Sequence, residues 1–214
     1  QIFHRVLDPS ELFAMQTGTV PAPNFTTLQT VEYTYDMQNR RIGKTVDTDG
    51  DDVVDLREAY VWDTAAMDGK GNVILDFVED DVDGTAEGSE LARLYLWGQA
   101  VDQLFAQEDV ESLVAADADD VLWALTDNLG SVRDVVKYDD VADATTVDEH
   151  FTYAAFGEIT SGDAEVTRYT YTAQEYDQHI GLYYYDQRWY DAHTGQFLTP
   201  DPIQDDKTND YRYV

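Results

Sequence analysis

Six carboxylates crowd the twelve residues Asp47 to Glu58, which read Asp-Thr-Asp-Gly-Asp-Asp-Val-Val-Asp-Leu-Arg-Glu. Calcium is a hard cation that takes about six to eight oxygen ligands, and a loop of this kind concentrates oxygens around one point. Numbered as a calcium loop, Asp47, Asp49 and Asp51 fall at the first, third and fifth positions. Val53 offers a backbone carbonyl at the seventh, and Val54 is the apolar residue usual at the eighth. Asp55 falls at the ninth and Glu58 at the twelfth. Asp52 stands at the sixth, where glycine makes the sharp turn; Asp enters the left-handed region less readily. The spacing therefore predicts calcium held by Asp47, Asp49, Asp51, Val53, Asp55 and Glu58. The competing reading is a solvated acidic turn. Two other acidic runs, Asp76 to Gly88 and Asp117 to Asp120, fit no ligand spacing and are expected to be solvated turns.

Other chemistries find little support. His4, His150, His179 and His193 form no pair at metal-ligand spacing. There is no glycine-rich phosphate loop and no nucleophile elbow. Cysteine is absent, which excludes disulfides and thiolate metal sites. No residue is assigned a catalytic role. Tyr and Trp on a concave strand surface could contact glycans or could simply form core. Asn24-Phe25-Thr26 is a glycosylation triplet of the kind that also arises by chance.

The 214 residues carry 44 Asp and Glu against 13 Lys and Arg, for a net charge of −31. Such a field repels nucleic acid and anionic membrane surfaces, and it attracts divalent cations. Adaptation to a salty medium would give the same composition. Hydrophobic residues make up 43%, enough for a core. No apolar run has the length that spans a bilayer. The chain opens on Gln1 without Met and closes on the alternating Asn209-Asp210-Tyr211-Arg212-Tyr213-Val214; both ends read as those of a segment of a longer protein.

Strands must position the acidic loop, because the dominant period is two. Tyr33/Tyr35, Tyr60/Trp62, Tyr95/Trp97, Tyr169/Tyr171 and the run from Gly181 to Asp191 all set aromatics two residues apart. Residues i and i+2 share one face of a strand, and aromatics opposite each other stabilise a sheet. Turn signals separate these units, among them Asp49-Gly50, Asn128-Leu129-Gly130 and Thr194-Gly195. Ala100 to Asp120 partly fits a helix, but two strands about Gly98 suit the context better. Residues 1–30 differ: Asp8 to Gln16 could form a short helix, followed by a Pro-containing linker. The expected architecture is all-β, with an N-terminal extension (1–30) and a strand-and-turn array (31–214). An ordinary β-sandwich is the alternative on periodicity alone.

Several segments carry a family resemblance. Tyr33 to Asp47 resembles a YD repeat, the unit of Rhs proteins. Arg93 to Glu108 and Leu125 to Val136 are similar to two further segments of these chains. Phe151 to Thr160, followed by Tyr171 to Ile203, resembles the Rhs repeat-associated core. The resemblance covers about Tyr33 to Val214. It implies antiparallel hairpins wound into a spiralling β-shell, like that of insecticidal toxin complex C components. It also implies a role in enclosing a variable C-terminal toxic domain, and an aspartyl autoprotease built from paired Asp-Pro-x-Gly motifs. Here Asp201-Pro202-Ile203-Gln204 lacks the glycine, and no second motif occurs. One acid without its partner cannot divide the proton-donor and base roles, so no protease activity is expected. Arg188 matches an Arg that accompanies cleavage in the family; stacking among Tyr rings is the structural alternative.

The sequence thus points to a structural segment of a secreted or cell-surface Rhs/YD-repeat protein, a polymorphic-toxin shell. Its expected partners are its own C-terminal cargo domain or neighbouring copies of itself, with a possible glycan or cell-surface contact. Neither nucleic acid nor membrane insertion is expected. A self-assembling extracellular filament or adhesion module, built by strand pairing at open edges, is the alternative. An inactive remnant of an autoprotease core is the third reading.

Overall fold

The computed structural model describes residues 2–3, 29–63, 71–79, 91–110 and 120–201. The proposed helix after Asp8, most of the N-terminal extension, the Asn24 triplet, the Asp117–Asp119 run and the end of the Asp-Pro motif lie outside them. Ten strands form one open antiparallel sheet in strict sequence order. They are β1 (Ile2–Phe3), β2 (Thr30–Tyr35), β3 (Arg41–Asp47), β4 (Leu56–Trp62), β5 (Val73–Glu79), β6 (Leu91–Trp97), β7 (Leu104–Asp109), β8 (Val121–Thr126), β9 (Val132–Asp139) and β10 (Ala144–His150). A small pair, β11 (Thr152–Tyr153) and β12 (Ile159–Ser161), leads to a four-stranded meander. The meander comprises β13 (Glu175–Asp177), β14 (Leu182–Tyr185), β15 (Arg188–Asp191) and β16 (Gln196–Phe197). The fold is all-β, as the period-two pattern predicts, and Leu104–Asp109 is a strand.

The aromatic cue points inward. Tyr60 and Tyr95 are buried, with Trp62 and Trp97 packed against the same cluster. Each Trp indole donates to a carbonyl at the start of the preceding strand: Trp62 to Arg41 O at 2.8 Å, and Trp97 to Val73 O at 2.7 Å. The register slips at the same place in successive hairpins, at Thr34/Tyr35, Val61/Trp62, Leu96/Trp97 and Leu125/Thr126. In these four hairpins the bulge falls just before the turn, and bulges of this kind bend the strand and add curvature to a sheet. Trp97→Phe keeps an aromatic ring, though a smaller one, and deletes the donor, leaving the Val73 carbonyl without it. The expected cost is about 1 kcal/mol, read as a melting temperature lowered by roughly 2–4 °C.

Residues 151–198 form an arm across the inner face of the sheet. Tyr169 meets the rings of Tyr95 and Trp97 edge-on, at 5.0 and 4.8 Å between centroids. Main-chain ties fix the crossing: Val132 N donates to Thr170 O at 3.0 Å, and Thr172 N to Ser131 Oγ at 3.0 Å. The three consecutive tyrosines of β14 serve both faces of the meander. Tyr183 lies opposite Tyr190, which lies opposite Phe197, and these pack together. Tyr184 lies opposite Trp189, which packs against the cluster of Val31, Val46 and Ile180. The Tyr183 and Tyr190 hydroxyls donate to the carbonyls of Gly157 and Phe156, both at 2.9 Å. The dense aromatics of residues 181–197 are therefore a wall buried on both sides.

One sequence expectation is corrected. Asp76 opens the acidic run read as a solvated turn, but it is 0% exposed, and Glu79 is 3% exposed, both on β5. The strand continues through both: Asp76, opposite Tyr60, faces inward to Arg168, whereas Glu79, opposite Arg57, lies on the other face and pairs with that Arg at 3.0 Å.

Candidate functional site: a buried ionic junction

Inward-facing positions of three neighbouring strands carry charge where apolar residues would be expected. β3 contributes Arg41 and Lys44, β4 contributes Glu58 beside Tyr60, and β5 contributes Asp76 beneath Tyr95 of β6. The arm answers with Arg168, with Glu175 and Asp177 of β13, and with His179. Arg168 bridges three carboxylates: Glu58 at 3.1 Å, Asp76 at 2.8 Å and Glu175 at 3.0 Å. Lys44 reaches Glu58 at 3.5 Å, Asp177 at 3.0 Å and His179 Nδ1 at 3.0 Å. Arg41 pairs with Glu175 and lies near Asp177. Its guanidinium sits between the rings of Tyr60 and Tyr184, 4.8 Å from each centroid. The planar, weakly hydrated guanidinium suits such a slot better than an ammonium would.

Three fixed cations thus face four carboxylates in a space that excludes most water. Burial alone would raise the Glu58 carboxyl, but Arg168, Lys44 and the Tyr60 hydroxyl hold it at about 2. Burial also opposes ionisation of Asp177, yet His179, Lys44 and Arg41 keep its carboxyl well below the usual range. Asp76 is the exception: burial pushes it up to about 6, against the pull of Arg168 and with the help of Glu58 and Glu175. A cavity of about 210 Å³ opens beside the junction, lined by Lys44, Glu58, Arg168, Glu175, Asp177 and His179 among others. The arrangement clamps arm to sheet. Lys44 and Arg168 are each engaged by carboxylates of both layers, and Arg41, on the sheet, by two carboxylates of the arm.

The acidic loop lies at the β3–β4 turn, where the sequence puts it. The carboxylates of Asp47, Asp49 and Asp55 gather with ligand atoms within 4.8 Å of one another. Asp47 accepts from the amides of Gly50 at 2.6 Å and Asp52 at 3.0 Å. Asp55 accepts from the Thr48 amide at 2.7 Å and from its hydroxyl. Asp52 takes the left-handed conformation that the sixth position needs, with φ of 68°. Asp51 is turned to the Val53 amide at 2.8 Å, and the Val53 side chain is exposed. Glu58 is outside this group, because its side chain faces inward to Lys44 and Arg168. Asp201 pairs with Arg188 at 3.1 Å, and that guanidinium lies 3.7 Å from the Phe197 ring centroid. Arg188 therefore stacks on Phe rather than on Tyr.

The sequence reading missed the junction. Its residues are spread from position 41 to position 179, so no local motif joins them. The available signal was Asp76 inside the apolar run Val-Ile-Leu-Asp-Phe-Val of β5.

A sheet of bulged hairpins in sequence order, with an aromatic arm crossing its inner face, defines a curved β-wall of the kind found in toxin-complex chains. The solved structures similar to it include the crystal structure of TcdB2-TccC3, with a TM-score of 0.53 and 20% identity over 86% of this chain. TcdB2-TccC3-Cdc42 matches 97% of the chain, with a TM-score of 0.53 and 20% identity. The Photorhabdus luminescens Tc holotoxin pore, carrying a mutation in TccC3, matches 86%, with a TM-score of 0.52 and 19% identity. The chain spans only about a tenth of each: 10%, 10% and 9% respectively. At this identity the likeness is one of fold. No family model and no curated protein matches the chain. Among the described residues no helix is long and apolar enough to cross a membrane.

Proposed function

We propose that the chain is a wall segment of a secreted or cell-surface YD-repeat shell of the Rhs type, which encloses or displays a cargo domain carried elsewhere on the full protein. The observation that carries this reading is the open sheet, built hairpin by hairpin in sequence order, with a bulge before the turn in four of them. Its likeness of fold to toxin-complex chains supports it. The role is read as structural rather than enzymatic: Asp201 is tied to Arg188 at 3.1 Å, and Gln204 stands where the family motif has glycine. Electron microscopy of the full-length protein tests the reading. A hollow shell with this segment in its wall is expected. A solid particle, or a filament built from repeats of this segment, would overturn it.

The β3–β4 loop is proposed to hold calcium through Asp47, Asp49 and Asp55, with Asp51 and the Val53 carbonyl as further ligands and without Glu58. A bound cation would relieve the repulsion between three neighbouring carboxylates. Millimolar calcium is expected to raise the melting temperature by a few degrees, on the order of RT ln(1 + [L]/Kd). The rise should vanish in Asp49→Asn. An equal rise in that variant, or with magnesium, would refute the site.

A further inference from the structure

β10 ends the large sheet. Among the described residues its only partner is β9, and Thr145 through Asp148 are exposed. Its far side thus presents a row of backbone donors and acceptors with no strand beside them. The edge is suited to pairing. Thr145, Thr146 and Val147 are β-branched, and neither Pro nor Lys, the usual guards of an open edge, stands on it. A register shift between Val147 and Glu149 leaves Ala144–Val147 as the regular stretch.

Register also lays an apolar row along one face of the sheet, ending at this edge. Leu96 lies opposite Ala106, Ala106 opposite Trp123, Trp123 opposite Val136, and Val136 opposite Val147. Leu96, Trp123 and Val147 are 54%, 46% and 60% exposed. A strand added beyond β10 extends this row by one place.

Charge selects the occupant. Between Lys137 and Arg168 there are eight Asp and Glu residues and no Lys or Arg. Lys137 is spent on Asp148 at 2.6 Å, and His150 on Asp134 at 2.6 Å. A second copy of a chain with net charge −31 is repelled from such an edge.

We propose that the open edge of β10 captures an extended, basic, β-branched segment of a partner protein as an added strand, with an apolar side chain set against Val147. Main-chain bonds supply the affinity in this mode, and the side chains supply the choice of partner. The inference goes beyond the shell reading and does not depend on it.

The probe is a synthetic peptide of alternating Lys and Val, titrated into the purified chain while amide exchange is followed. Saturable binding is expected, with slowed exchange confined to β10. Methylating the peptide's backbone nitrogens on one edge should weaken binding about tenfold or more, because two or three hydrogen bonds are lost. Thr145→Lys, at an exposed position, should weaken it as well. A Glu–Val peptide of equal length should not bind. The proposal is overturned if the methylated peptide binds as tightly as its parent, which marks adsorption by charge alone. It is equally overturned if protection falls elsewhere, or if the chain dimerises through β10 without peptide.

Discussion

Arg168→Met is expected to lower the unfolding free energy by about 3–5 kcal/mol, the cost of removing one partner from a buried ionic cluster. The side chain is 11% exposed and bridges Glu58, Asp76 and Glu175. Met fills most of the same volume, so the loss reports charge rather than a cavity. Without the guanidinium, carboxylates of β4, β5 and β13 face one another with only Lys44 and Arg41 between them. The melting temperature should fall by roughly 10 °C, at about 2–4 °C for each kcal/mol in a domain of this size. Adding Asp76→Leu to Arg168→Met should recover part of the loss, because it removes one of the stranded charges. A double variant as unstable as the sum of the two singles would mean that the residues act independently. That result would dissolve the junction as an energetic unit.

The second large effect concerns pH, and two carboxylates of the same cluster pull in opposite directions. Glu58 is held at about 2 in the folded chain, below the ordinary carboxyl value of 4.5. As pH falls, the unfolded chain takes up that proton first. The contribution of Glu58 is thus full above pH 4.5 and lost on the way down to about 2. It amounts to roughly 3 kcal/mol. Asp76 is raised from 3.8 to about 6, so as pH rises the unfolded chain releases its proton first. Its contribution is full below 3.8 and falls by roughly 3 kcal/mol as pH passes through about 6. Asp177, also held low, strengthens the acid side. The groups facing Asp76 are Arg168, Tyr95, Glu58 and Glu175, and Asp76→Asn leaves all four in place. Denaturant unfolding of wild type and Asp76→Asn across pH 3.5 to 7.5 tests this. The variant should gain on the wild type by roughly 3 kcal/mol across that range. A constant difference between the two proteins would rule out titration of Asp76 in the window.

The hairpins were legible because their signal is local. Tyr60 and Trp62, or Tyr95 and Trp97, announce an inward strand face within three residues, and the turns follow at once. The acidic loop was legible for the same reason, down to the left-handed Asp52. Glu58 was misassigned because loop numbering counts along the chain, whereas β4 had already turned that position toward the core. Asp76 was misread because a carboxylate next to further acids looks solvated until its cation is known. That cation, Arg168, lies 92 positions away. The bulges left no mark in composition; they follow from hairpin geometry and show only in the register.

The burial of the cations reaches further than stability. Trypsin cuts after Lys and Arg, and the folded chain hides three of those bonds in its interior. Arg41 is 1% exposed and Lys44 5%, while Arg168 closes the long stretch after Lys137 that offers no other cut. Fragments ending at Arg41, Lys44 or Arg168 are expected only from molecules whose arm has lifted off the sheet. A brief digest is therefore a clock for the opening of the wall, set by residues that hold it shut.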